Sequence, residues 1–223
     1  MDNIKLRRLR PGSFFDFASG LKVSHIIVDK EISEFDQSIG LIFVITGTIK
    51  ILKNDQESEI LDFCSNQLVL VDLQHVQLIT SSNSANIILF SIPPTGNTLP
   101  YELASVNLAG KKYQNNWIVG YGNLPLKVNN FSLAHVRFED QEEFATKLLP
   151  REVYHHHVMG DEYYLVLEGG YRIRVDNQVY FLDKFTLVEI PKTICHKWEY
   201  ATFPVRGLNF RFPSIEGDKC ECH

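Results

Sequence analysis

The stretch Pro150-Arg151-Glu152-Val153-Tyr154-His155-His156-His157-Val158-Met159-Gly160-Asp161-Glu162-Tyr163-Tyr164 decides the reading of this chain. Along a β-strand successive side chains point to opposite faces, so His155 and His157 share one face and His156 takes the other. Two imidazoles on one strand face form a platform for a divalent metal. The Met159-Gly160-Asp161 turn lets the chain fold back, so that Glu162 on the next strand supplies an oxygen ligand. His196, 34 residues after Glu162 and following Pro191-Lys192-Thr193, can supply a fourth. Three imidazoles and one carboxylate suit one divalent transition metal (Fe, Mn, Zn, Ni or Co) and leave room for water or substrate.

Outward from this stretch, short β-branched and aromatic runs dominate. They include Ile26–Val28, Leu41–Ile45, Ile49–Leu52, Leu68–Val71, Val76–Ile79 and Ile87–Phe90, separated by turn residues such as Thr46-Gly47-Thr48. Strands of this length at spacings near ten residues predict an all-β sandwich or barrel. Pro93-Pro94-Thr95-Gly96-Asn97 interrupts the pattern, since paired prolines cannot continue a central strand. A short helix is expected within 99–112. Strand-like runs resume at Trp117–Val119 and continue through Phe131–Val136, Tyr163–Leu167, Tyr171–Val175, Val179–Leu182, Thr186–Ile190 and Gly207–Phe212. Leu41–Ile51 and Tyr163–Ile173 share one design, an apolar strand ending in Gly followed by a second strand, which reads as a hairpin in each half. The chain is therefore expected to be a structural duplication.

His155-x-His157-x4-Glu162-x6-Gly169 and Pro191-x-Thr193-x2-His196 resemble the two sequence motifs of the cupin superfamily. The resemblance covers about residues 115–214. It implies a double-stranded β-helix (jelly-roll) barrel whose mouth holds a metal on His155, His157, Glu162 and His196. The chain departs from the motif pattern at Leu149, Phe185 and Thr193, where glycine is usual, and at Tyr200, where Asn is common. The N-terminal half, in Gly40–Leu52 and Gln67–Pro93, is similar to the cupin-like sensor domain of arabinose-type regulators. There the ligand positions fall on Ser33, Phe35, Gly40 and the neighbourhood of Gln77, with His75 nearby, so that half is expected to be metal-free. The implied architecture is two tandem barrels: a degenerate one over 1–97, a linker over 98–114, a metal-binding barrel over 115–216 and a flexible tail over 217–223.

Composition sets outer limits. The 223 residues are 44% hydrophobic, with 15 Phe and 9 Tyr, which excludes a disordered chain. A net charge of −5 argues against a general nucleic-acid binder. The polar N-terminus and the lack of a long apolar run predict no signal peptide and no membrane span. The four cysteines (64, 195, 220 and 222) then read as reduced thiols of a cytoplasmic protein. Cys220-Glu221-Cys222-His223 is a soft-metal sequence at what reads as a frayed end.

Strand parity also nominates the neighbours of the metal. Tyr164 and Val166 share the face of Glu162, Ile194 and Trp198 share that of His196, and Arg151 shares that of His155. Tyr164 is the catalytic candidate, as an acid or as a substrate-positioning hydroxyl. Trp198, Arg151, Val166 and Ile194 are the substrate-pocket candidates, with Arg151 placed for a carboxylate or phosphate. His156 points away, and Cys195 points away from His196. His25, His75 and His135 read as structural histidines. The expected partner is a small-molecule substrate, with a homodimer through an exposed sheet edge as the assembly such barrels allow. Three functions compete: a metal-dependent enzyme of dioxygenase, isomerase or lyase type, a non-catalytic metabolite-binding or sensor module, and a structural partner in a biosynthetic complex whose metal only stabilises the barrel.

Overall fold

In the computed structural model, residues 4–35, 39–53, 60–94, 103–109, 112, 114–121 and 123–222 are described. Strands dominate them, accompanied by one seven-residue α-helix, Gln141–Lys147, and short 3-10 turns. The chain forms two compact units, Leu9–Lys112 and Met1–Arg8 with Tyr113–His223.

The Leu9–Lys112 unit pairs a six-stranded with a four-stranded sheet. The first runs in the order Ala104–Asn107, Gln67–Asp72, Ile39–Thr46, Ala85–Ile92, Lys22–Val28, Phe14–Asp16. The second runs Glu31–Ile32, Val76–Thr80, Thr48–Lys53, Ile60–Cys64. Alternate residues of both sheets meet in one core: Ile42 and Val44, Ile49 and Ile51, Val69 and Val71, Ile87 and Leu89. The expected hairpin at Gly47 is absent. Ile39–Thr46 and Thr48–Lys53 lie in different sheets, so the chain turns a corner there. The helix expected within 99–112 is corrected as well. Ala104–Asn107 is a strand antiparallel to Gln67–Leu70, while residues 99–102, 110, 111 and 113 lie outside the described set.

In the second unit two long strands, Asp161–Val175 and His196–Phe212, run antiparallel along most of their length. Thr186–Ile190 flanks the first half of Asp161–Val175, and Gln178–Asp183 flanks its second half. Ser132–Phe138 and then Asn116–Gly120 extend the sheet beyond His196–Phe212. Here too the predicted hairpin is replaced by one bent strand, with register shifts on both sides of Glu168. Gly169 makes the bend: its φ is +67°, and a Cβ there would stand 2.3 Å from the carbonyl oxygens of Thr202 and Pro204. The core beneath holds Tyr164, Val166, Tyr171, Ile173, Val188, Trp198 and Val205, joined by Phe144 of the helix. Asp140 caps that helix by accepting from the Glu143 backbone N–H.

The expected boundaries shift at three places. Lys5–Arg8 is the outer strand of the second unit's sheet, antiparallel to Thr186–Glu189. The expected linker contains the strand Ala104–Asn107 of the first unit. The expected flexible tail is structured, since Lys219–Glu221 pairs with His155–His157 and Cys222 is disulfide-bonded to Cys195. The reading of four reduced thiols is corrected accordingly, with Cys64 and Cys220 the free cysteines.

Candidate metal centre

Three strand ends assemble the site. His155 pairs in register with His196, at the start of its long strand, and with Glu221 on the other side. Glu162 sits one residue into the other long strand, opposite Ile190 and Arg211. Between the histidine strand and Glu162 the chain reverses at Gly160, where a Cβ would stand 1.8 Å from the Pro213 carbonyl oxygen, so only glycine fits. The reversal is held by Asp218, whose carboxylate accepts from the backbone N–H groups of Val158 (2.9 Å), Met159 (2.7 Å) and Gly160 (3.3 Å).

The four nominated side chains come together, each between 2% and 4% exposed. Glu162 Oε2 lies 2.5 Å from His196 Nε2, 3.2 Å from His157 Nε2 and 3.6 Å from His155 Nε2. One ligand atom of each lies within 4.8 Å of all the others. Two of the three far ring nitrogens are fixed by hydrogen bonds. His155 Nδ1 donates to the Val153 carbonyl (2.8 Å) and His196 Nδ1 to the Ile194 carbonyl (2.9 Å). A nitrogen that donates to a carbonyl carries the proton, which leaves Nε2 as the inward lone pair when the ring is neutral. Asp218 Oδ2 stands 3.6 Å from His157 Nδ1 on the third ring. Asn209 donates to Glu162 Oε1 at 2.9 Å and orients the carboxylate.

Burial opposes charge on His155 and lowers its pKa, although Glu162 pulls the other way. Burial opposes charge on His196 too, but the hydrogen bond to Glu162 outweighs it and the pKa rises. Burial would raise Glu162, yet the three imidazoles around it hold the carboxyl well below its ordinary range. The donor set thus gathers a carboxylate and three inward Nε2 atoms that need either protons or a cation between them. It fits a divalent transition metal held by His155, His157, Glu162 and His196.

An open cavity of about 210 Å³ leads to this cluster. Tyr164 and Trp198 line it, as parity indicates, with ring centroids 4.3 Å apart, and Tyr171 packs 4.2 Å behind Trp198. Val166 does not reach the cavity. It lies in the core with those three aromatic rings, and Ile194 packs against the same core without lining the cavity. Arg151 closes a 3-10 turn, and its side chain is outside the described set. Burial and the nearby Glu162 and Glu152 carboxylates push the Tyr164 pKa well above the ordinary value, so its hydroxyl holds its proton.

Sequence reasoning missed Glu152, Asn209, Arg211, Lys219 and Trp117, all on the cavity wall. Glu152 carried a parity signal, three residues before His155 and so on the opposite face of an ideal strand. A 3-10 turn over Leu149–Arg151 breaks that alternation and brings it in. Its Oε1 accepts from the Trp198 N–H at 3.3 Å, and burial raises its pKa to about 7 against the pull of Lys219. Arg211 rests on the Trp117 ring, 4.6 Å from its centroid. Its buried Nε and the Oδ1 of Asn209 have no hydrogen-bond partner among the described residues.

In the Leu9–Lys112 unit the corresponding positions carry other side chains. Phe35 packs against the core, and Leu73 lies within 2.7 Å of where a Gly40 Cβ would stand. His75 lies in a 3-10 turn against Asp72 rather than on a strand. His25 is buried as expected, and so is His135 of the second unit.

No protein-family model and no curated protein matches the sequence. Solved structures do match. Bacterial pirin YhhW from Escherichia coli, in complex with nickel(II), superposes with a TM-score of 0.66 at 12% identity over 96% of this chain and 100% of that one. A cupin 2 conserved barrel domain protein from Leptotrichia buccalis gives 0.54 at 14%, over 96% and 90%. A single-substitution variant of the oxalate decarboxylase of Bacillus subtilis gives 0.57 at 11%, over 90% and 71%. The chain has the cupin fold. Its cupin motifs fall where that fold opens: Glu162 and His196 at the starts of the two long strands, His155 and His157 on the short strand beside them. Among the described residues no helix is long and apolar enough to cross a membrane.

Proposed function

We propose that the protein is a metal-dependent cupin enzyme acting on a small, polar, negatively charged metabolite. The observation that carries this reading is the convergence of three imidazoles, two of them hydrogen-bonded through Nδ1 to backbone carbonyls, on Glu162 at the end of an open cavity with Arg211 and Lys219 on its wall. A bound divalent metal would supply Lewis-acid polarisation of a substrate oxygen, in oxidation, isomerisation or elimination chemistry. Arg211 and Lys219 attract and orient a carboxylate or enediolate, with the Arg211 fork held against Trp117. Asn209 lines the cavity and donates to Glu162 Oε1, holding that carboxylate in place beside the substrate space. Tyr164 keeps its proton and acts as a hydrogen-bond donor. Glu152, poised near neutrality, is the residue suited to take up or return a proton. The aromatic floor of Tyr164 and Trp198 closes the inner end of the cavity.

A non-catalytic metabolite-binding role is the second reading, favoured by the high Tyr164 pKa, which leaves Glu152 as the one acid–base group suited to neutral pH. Metal analysis of diamide-oxidised protein, in which the Cys195–Cys222 disulfide is closed, purified without a His tag or added metal, tests the central claim. About one equivalent per chain is expected, lost in the His155→Ala/His157→Ala variant while circular dichroism stays unchanged. Stoichiometric metal in the folded double variant would overturn the assignment. Oxygen-uptake and isomerase screens of the loaded protein then separate enzyme from binder.

A further inference from the structure

The strand that places His155 and His157 inside the barrel necessarily places His156 outside, and the same alternation separates Cys195 from His196. The C-terminal strand Lys219–Glu221 runs beside His155–His157, with Cys220 directly opposite His156. One residue beyond it, Cys222 is tied to the histidine strand's approach by its N–H, which donates to the Tyr154 carbonyl at 2.9 Å. These three segments gather a second constellation on the outer face. His156 Nδ1 stands 3.3 Å from Cys222 Sγ and 4.0 Å from Cys195 Sγ, and the three ligand atoms lie within 4.8 Å of one another. All three side chains are half-buried, shielded yet reachable from solvent.

A tetrahedral ion with metal–nitrogen bonds near 2.0 Å and metal–sulfur bonds near 2.3 Å holds its N and S donors about 3.5 Å apart, close to the spacing His156 already keeps to the two sulfurs. The Cα atoms of Cys195 and Cys222 are 6.3 Å apart, and the thiolates can part to flank an ion by side-chain rotation. Cys220, half-buried and opposite His156, is the nearest candidate for a fourth ligand.

We propose that His156, Cys195 and Cys222 form a second, thiolate-rich metal site, taking zinc or another soft divalent ion when the protein is reduced and closing as the Cys195–Cys222 disulfide when it is oxidised. The exchange balances. A dithiol reductant gives two electrons and two protons to the disulfide and leaves as its own cyclic disulfide. The two resulting thiols then release their protons to solvent as the divalent ion binds. No ligand is shared with the inner centre, because the two sites lie on opposite faces of the same strands, so they can be emptied separately.

Cobalt(II) titration of the full chain distinguishes them, since thiolate-to-cobalt charge transfer in the near ultraviolet arises only from sulfur ligation. Protein reduced with a phosphine, desalted and titrated is expected to develop that band to saturation with one equivalent beyond the cobalt taken up by the inner centre. Diamide-oxidised protein is expected to lack it. In Cys195→Ser/Cys222→Ser the band is lost, and His156→Ala weakens the band-forming affinity at least tenfold. Absence of the band in reduced wild-type protein, or its persistence in the double serine variant, would overturn the proposal. So would loss of the far-ultraviolet β signature on reduction. Failure of the inner centre shows separately, as the loss of band-silent cobalt.

Discussion

Thr193 and Phe185 occupy positions where the cupin motif usually has glycine, and both adopt left-handed backbone, with φ of 70° and 61°. For a β-branched residue that conformation costs about 1–2 kcal/mol, against about 0.5–1 kcal/mol of chain entropy that glycine would lose on folding. Thr193 is exposed, and its N–H donates to the His157 carbonyl at 2.6 Å, a bond that glycine keeps. Thr193→Gly is therefore expected to raise the unfolding free energy by up to about 1 kcal/mol, read from a denaturant midpoint at unchanged m. The departure from the motif changes the residue and not the loop. That is why the motif stayed recognisable with its glycines missing. Glu152 belongs to the same scale. Its carboxyl is neutral below about pH 7 and charged above. Ionised, it adds attraction for a cation in the cavity, so metal affinity should climb through neutrality more steeply in the wild type than in Glu152→Gln. Parallel titrations on either side of neutrality check this.

At the scale of the element, parity read the inner centre from sequence wherever strands are regular. His155, His157, Glu162, Tyr164, His196 and Trp198 all follow period-2 alternation along strands that keep it. It failed where alternation is broken or carried too deep. The 3-10 turn over Leu149–Arg151 brings in Glu152, and the floor of aromatic rings ends the cavity before Val166. It also failed at the C-terminal strand, whose Lys219-Cys220-Glu221 carries no apolar pattern because its stability comes from pairing with His155–His157. Asp218 is the costliest of those omissions. One carboxylate holds three backbone N–H groups of the turn that spaces the histidines from Glu162, and its charge stands 3.6 Å from His157 Nδ1. Asp218→Asn keeps the shape but removes the charge. We expect metal affinity to fall about 10–100-fold, measured by competition with a chromophoric chelator.

For the whole molecule, the two-barrel duplication and its all-β character were legible in the spacing of apolar runs. The assignment of the first eight residues was not, because Lys5-Leu6-Arg7-Arg8 reads as a polar terminus. Its place is fixed by charge as well as by ladder bonds: Lys5 lies 3.3 Å and Arg7 3.5 Å from the buried Glu189 carboxylate. The pH dependence of stability is a property at this scale too. The raised pKa of His196 contributes stability below about pH 6.5 that is lost as pH rises through the folded value. The lowered pKa of His155 acts oppositely, contributing above about pH 6.5 and losing as pH falls. The two act in opposite senses, while the raised Glu152 carboxyl contributes stability that is lost as pH rises from its ordinary 4.5 to about 7. A metal held by His196 Nε2 would replace the proton there, so the rise in Tm on adding metal should grow from about pH 6 to about pH 8. With free metal at about a hundred times Kd it should reach about 5–10 °C, seen by scanning calorimetry.

The pairing of Lys5–Arg8 with Thr186–Glu189 also sets a schedule. The ribosome makes one partner about 180 residues before the other, which at about 5–20 residues per second is a wait of about 10–40 s. During that interval the first strand has no sheet to join, while the Leu9–Lys112 unit, whose contacts are all closer in sequence, can already fold. The earliest strand to emerge is thus among the last to dock. Its four residues, three of them cationic, carry enough charge to remain dispersed until the far edge appears.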